Sequence, residues 1–227
     1  MTYRVGVGIN SFDDPKGLIK ILTNDRLYDF IDTFFIFEGR YKERQDPYLN
    51  DPDYVYDIKS IYKKIHLRVS NNYSQIEKRN WYWEEAEKAN LDYMIVCDTD
   101  EFIDINPPVF ESSLRIIDKR PEKCYPIQTH MQDIMTMFRP RLFKAPFTFR
   151  HRKSETTISH GSLWEDYGES DKEIINQMYA WFKDHEKRDR YGNQLGIPGI
   201  TMWHDKQYRT HDRIIADRVY YDEVKNR

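Results

Sequence analysis

The chain has 227 residues with 35 basic and 38 acidic side chains and a net charge of −3, a near balance that excludes a general nucleic-acid binder. Hydrophobic residues make up 39% and aromatics 15%, so a globular domain with a core rich in large rings is expected, not a disordered chain. Cys97 lies in an apolar run and Cys124 in a second strand-like stretch, without metal-type spacing; a reducing compartment is expected, and a Cys97–Cys124 bridge stays open.

Tyr3, Val5, Val7 and Ile9 alternate with smaller or polar residues and predict a first strand. Asp13-Asp14 precede Pro15, a favoured first helical position, and Leu18, Ile21 and Leu22 form one apolar face weakened by Gly17. Thr33 to Phe37 reads as a second, buried strand followed by Glu38-Gly39-Arg40. Tyr41 to Asp57 is polar, carries Pro47 and Pro52, and reads as a long loop. Ile65 to Val69 is a third strand, and Ser74-Gln75-Ile76-Glu77 is a capping box opening a helix that runs to about Ala89, with Asn90 as its stop.

Tyr93-Met94-Ile95-Val96-Cys97 is an apolar run, read as a strand buried on both faces, and it leads straight into Asp98-Thr99-Asp100-Glu101. Three carboxylates within four residues repel one another unless a cation or several donors sit among them. A hard divalent ion that also binds substrate phosphates is the usual answer. The strand–helix alternation of the first hundred residues predicts a parallel sheet, whose ligands bind beyond the carboxyl ends of the strands. Asn10, Ser11, Glu38, Arg40 and the acidic turn all fall at such ends.

Beyond Pro107-Pro108 the pattern shifts to a helix from Glu111 to Asp118 and shorter strands at Cys124 to Gln128, Met137 to Phe143 and Phe147 to Phe149. Glu169 to Lys187 reads as a helix, Gly192 to Pro198 as a turn, Thr201 to His204 as a strand and Arg213 to Val224 as a last helix. The chain enters a strand pattern at once and holds no membrane-length apolar stretch, so a soluble, cytoplasmic protein without a signal peptide is expected.

With Asp98-Thr99-Asp100 after the fourth strand, Arg79-Asn80 in the preceding helix, Glu101 after the DxD, Pro140-Arg141-Leu142-Phe143 downstream and His204 ahead of Arg209 and Arg213, the chain resembles the family-two-like GT-A glycosyltransferases. The likeness runs over roughly residues 3 to 221. It implies an α/β fold of Rossmann-like type, a mixed, mostly parallel sheet flanked by helices in one domain. Residues 1–106 would form the nucleotide-sugar-binding half and 107–227 the acceptor half. The implied activity is a hexosyltransferase-like transfer from a UDP- or GDP-linked sugar to an unknown acceptor, with inversion and with Mn2+ or Mg2+ as cofactor.

The resemblance assigns Asp98, Asp100 and His204 to the metal, with Asp98 also at the ribose. Asn10, Ser11, Glu38 and Arg79 then address the donor. Inversion needs a base for the acceptor hydroxyl; Glu165 and Asp166 are the first candidates, with Asp133 and Glu155 as rivals. Trp164 and Trp203 are candidates for stacking on a sugar, whereas Trp81 and Trp83 read as packing. Competing readings are a catalytically silent nucleotide-sugar-binding module and a haloacid-dehalogenase-type phosphatase. The latter fits poorly, because Phe102 stands where its motif carries Thr or Val and three strands precede the acidic pair.

Overall fold

A computed structural model describes residues 3–42, 48–51, 53–131, 135–147, 176, 180–181 and 196–204. Among the described residues eight strands form one mixed sheet flanked by helices, the α/β class expected. The strands are β1 (Val5–Ser11), β2 (Thr33–Glu38), β3 (Ile65–Val69), β4 (Tyr93–Asp98), β5 (Glu101–Ile105), β6 (Cys124–Met131), β7 (Met135–Lys144) and β8 (Ile200–His204), in the order β3-β2-β1-β4-β7-β6-β8-β5. The first four are mutually parallel, β7 runs against both β4 and β6, β6 and β8 are parallel, and β5 runs against β8.

The period of two along each strand separates two cores. Tyr93, Ile95 and Cys97 of β4 join Phe34 and Ile36 of β2 beneath α1 (Pro15–Leu22), α2 (Asp25–Phe30), α3 (Tyr54–Ile61) and α5 (Pro107–Asp118). Met94 and Val96 join Phe35 and Phe37 on the other face, against Trp81, Tyr82 and Trp83 of α4 (Gln75–Lys88). An uninterrupted apolar run is thus what a strand covered on both sides requires. In β1 the residues turned toward α4 are glycines, and a Cβ on Gly8 would lie 2.9 Å from the Tyr82 ring, so their smallness sets how closely α4 can approach.

The Ser74 capping box forms in full, and Asn90 ends the α4 turn with φ at 51°. Trp81 and Trp83 are 5% and 0% exposed, as packing residues should be. Three elements depart from the sequence reading. The segment read as a loop through Asp57 folds from Tyr54 onward as α3, α2 was not anticipated, and Glu101–Ile105 forms a strand despite its charges. Helix α5 starts at Pro107, four residues before the expected Glu111, with Asn106 as its cap. Cys97 and Cys124 are buried free thiols, so no bridge joins them. Phe147 is not in a strand, and residues 148–149 of that predicted strand lie outside the described residues. Of the helix predicted over Glu169 to Lys187 only residues 176, 180 and 181 are described, all helical; the last predicted helix is outside.

Candidate functional site

Parallel pairing carries distant residues to a common edge. Asn10 is the register partner of Asp98, and Ser11 is the partner of Glu38. On the far side of the sheet Glu101 pairs with His204. The structure therefore brings Asn10, Ser11, Glu38, Arg79, Asp98, Asp100 and His204 to one edge, where β1, β2, β4 and β8 all end. Glu165, Asp166, Asp133, Glu155 and Trp164 lie outside the described residues.

Each carboxylate of the acidic turn meets a basic side chain of its own. Arg79 Nη2 stands 3.5 Å from Asp98 Oδ1, His204 Nε2 stands 3.1 Å from Asp100 Oδ2, and Arg141 of β7 is ion-paired with Glu101. Of the two remedies the sequence allows, a cation or several donors, the protein itself supplies Arg79 beside Asp98 and Arg141 beside Glu101. The three are not equivalent. Glu101 and Arg141 are each 1% exposed, and the second Glu101 oxygen accepts the Asp98 backbone N–H at 3.0 Å, so Glu101 holds the turn in shape from within. Asp98, with its side chain 30% exposed, faces outward. The turn rests on α1: a Cβ on Gly17 would fall 2.4 Å from the Thr99 carbonyl oxygen. The glycine that weakens this helix on propensity is what lets the turn sit there.

Glu38 is fully buried and accepts hydrogen bonds from the Ser11 hydroxyl, the Asp13 N–H at 2.9 Å and the Tyr54 hydroxyl at 2.7 Å. Burial, and then the Glu38 charge, hold the Tyr54 phenol far above its ordinary pKa, so it stays a donor. Glu38 thereby fastens α3 to the loop after β1. Asp13, at φ 54°, extends the tie by accepting the N–H groups of Leu49 and Asn50 at 2.7 and 3.0 Å.

Lys78, also fully buried, donates to the carbonyls of Ser11, at 2.9 Å, and Gly39. It clamps the ends of β1 and β2, and its ammonium lies 5.1 Å from the Tyr41 ring centroid. Tyr41 in turn accepts from Asn10 Nδ2 at 2.7 Å. Asn10 is 7% exposed, and its Oδ1 has no hydrogen-bond partner among the described residues. A buried carbonyl oxygen in that state fits a donor on a ligand. Sequence reasoning gave Lys78 no role of its own, and it met Tyr54 and Tyr41 only as parts of a loop and Arg141 only within the Pro140-Arg141-Leu142-Phe143 likeness. Lys78 carried a usable signal, since with Trp81 and Tyr82 it falls on one helical stripe at i, i+3 and i+4. Tyr54 and Tyr41 lay in the presumed loop, and nothing local marks Arg141 as the partner of Glu101.

Among the described residues no group of three His, Cys, Asp or Glu side chains is placed to hold a metal. The Asp100–His204 pair is nonetheless compatible with Mn2+ or Mg2+. Two donors 3.1 Å apart have the spacing of adjacent ligands in an octahedron with bonds of about 2.1 Å. Such ions are commonly held by one or two protein groups, with phosphates and water completing the shell.

No protein-family model and no curated protein sequence matches the chain. Solved structures that align with it include S. aureus TarS 1-349, at 14% identity and a TM-score of 0.39 over 57% of this chain and 36% of that one. Glucosyl-3-phosphoglycerate synthase from Mycobacterium tuberculosis, in complex with Mn2+, uridine diphosphate and phosphoglyceric acid, aligns at 11% identity and a TM-score of 0.34 over 57% of this chain and 44% of that one. A cytidylyltransferase from Leptospira borgpetersenii aligns at 10% identity and a TM-score of 0.34 over 63% and 60%. The chain thus spans less than half the length of the first two proteins. No helix among the described residues is long and apolar enough to cross a membrane.

Proposed function

We propose that this protein is a divalent-metal-dependent glycosyltransferase that moves a sugar from a UDP- or GDP-linked donor to an acceptor hydroxyl, with inversion. The observation that supports it most is the gathering of Asp98, Asp100 and His204 at the sheet edge where Asn10, Ser11 and Glu38 also end. Asp100 and His204 would hold Mn2+ or Mg2+, with Asp98 facing the ribose and sharing the ion. Once bound, the ion supplies charge stabilisation to the departing diphosphate.

The protein's own groups have separate tasks. Asn10 Oδ1 offers an acceptor to the donor base. Arg79 orients Asp98 and lends positive charge beside it. Glu38 and Lys78 shape the strand ends from beneath and leave direct recognition to their neighbours. Asp166 or Glu165 would take the proton of the acceptor hydroxyl as its oxygen attacks the anomeric carbon and the bond to the diphosphate breaks.

Thermal shifts with UDP, GDP and CDP, each with and without Mn2+, test this reading. Stabilisation by UDP or GDP only when Mn2+ is present is the expected result and also names the base. Equal shifts with and without the ion, or none with any diphosphate, would overturn it.

A further inference from the structure

The proposed function leaves unused a partly exposed surface on β6, β8 and β5. On β6, β8 and β5 the residues Thr129, Met202 and Ile103 point into the core and are at most 2% exposed. Their strand neighbours form two rows on the opposite face. His130, Trp203 and Phe102 are register partners in the first row; Gln128, Thr201 and Asp104 are partners in the second.

The aromatic row is built, not incidental. The His130 ring stacks on Trp203 with centroids 4.4 Å apart and planes 25° from parallel. Phe102 is 8% exposed, and the Lys20 ammonium lies 3.9 Å from its ring centroid. Between these covered neighbours Trp203 is 44% exposed, whereas Trp81, Trp83 and Trp181 are at most 5% exposed. Gln128 Nε2 lies 3.4 Å from His130 Nε2, so the amide also touches the stack.

We propose that this face is a saccharide platform, with Trp203 as its stacking ring, that seats a pyranose of the acceptor. A pyranose presents an apolar C–H face and a rim of hydroxyls. An exposed indole matches the face. The amide, hydroxyl and carboxylate of Gln128, Thr201 and Asp104, two residues away or about 7 Å along the strands, match the rim. An apolar peptide would leave that polar row unsatisfied, and the exposed Asp104 disfavours a polyanion. His204 follows Trp203 directly, turns to the other face and reaches Asp100, so the platform lies at the end of β8 that carries the edge assigned to the donor, on the opposite side of the strand. That the bound sugar is an acceptor rests on the transferase reading; that the face binds sugar does not.

The test is an NMR titration of the whole chain with labelled indole nitrogens, in which Trp203→Phe identifies the Trp203 resonance. Maltotriose, cellotriose and chitotriose are the probes, each up to about 10 mM. At least one should move the Trp203 signal. Measured by calorimetry, since both variants lack that resonance, Trp203→Ala should then weaken that binding about tenfold, the worth of one aromatic stacking contact, while Trp203→Phe stays within about threefold. No shift with any of the three, a shift caused by UDP instead, or undiminished binding by Trp203→Ala would overturn the platform. UDP with Mn2+ on the unaltered chain reports separately on the donor site: saccharide binding without UDP binding would sink the transferase reading and leave the platform standing.

Discussion

His204 Nε2 lies 3.1 Å from Asp100 Oδ2 because β5 and β8 pair with Glu101 opposite His204. The same pairing turns Glu101 inward to Arg141 and leaves Asp100, one residue earlier, at the rim. One strand register thus sorts two adjacent carboxylates into a structural one and a candidate ligand. Their chemistry and their burial are alike, at 4% and 1% exposed; the partner each meets is not.

Asp100→Ala and His204→Ala should each abolish the Mn2+-dependent part of nucleotide binding. A loss exceeding the roughly 10–100-fold that follows removal of a group merely supporting a metal ligand is expected. Calorimetry of UDP with and without Mn2+ measures it. Unchanged Mn2+ dependence in both variants would remove them from the metal site.

The Glu101–Arg141 pair should behave as a buried unit. Arg141→Met alone leaves a buried carboxylate uncompensated and is expected to cost about 3–5 kcal/mol. Adding Glu101→Gln should restore much of that, because the stranded charge is gone. A double-mutant cycle by urea unfolding decides the matter; additive losses would mean that the two side chains do not depend on each other.

Gly17→Ala places a Cβ 2.4 Å from the Thr99 carbonyl oxygen. Although alanine is the better helix former by about 1 kcal/mol, overpacking of about 1–3 kcal/mol should win, giving net destabilisation. The displaced acidic turn should also bind Mn2+ with UDP more weakly. A variant more stable than the parent, with equal affinity, would show that the turn does not rest on α1.

Glu77 gives a pH-dependent prediction. The Ser74 backbone N–H first, and then Lys42, hold its carboxyl down at about 2, against about 4.3 in an unfolded chain. The folded state therefore binds this proton more weakly, and the stabilisation is complete above about pH 4.5. It shrinks as the pH falls and is gone once the pH passes below about 2. With the side chain 49% exposed, solvent screening keeps the contribution under about 1 kcal/mol. The melting-temperature gap between the parent and Glu77→Gln should be widest near neutrality and close in acid. A gap constant from pH 7 to 2 would contradict the assignment.

The parts of the fold legible in the sequence are those with a local cause. Tyr93 to Cys97 reads as a two-faced strand because each residue must meet apolar partners on its own side, and they do. The start of α4 is legible because Ser74 and Glu77 satisfy each other within one turn. β5 was illegible because Glu101 and Asp104 interrupt its apolar pattern, and the arginine that makes Glu101 tolerable there comes from another strand. α3 was hidden because Tyr54 is held by Glu38 across the fold, not by a strong local signal.

By itself the sequence determined the first four strands, the helices α1 and α4 and the placing of an acidic turn at the end of the fourth strand, because apolar period and helix capping act over a few residues. Only the tertiary structure decided which of those acids lies buried against Arg141, which meets His204 and which faces solvent. Such pairings depend on strand register between distant segments, and charge is neutralised by whatever the fold brings near.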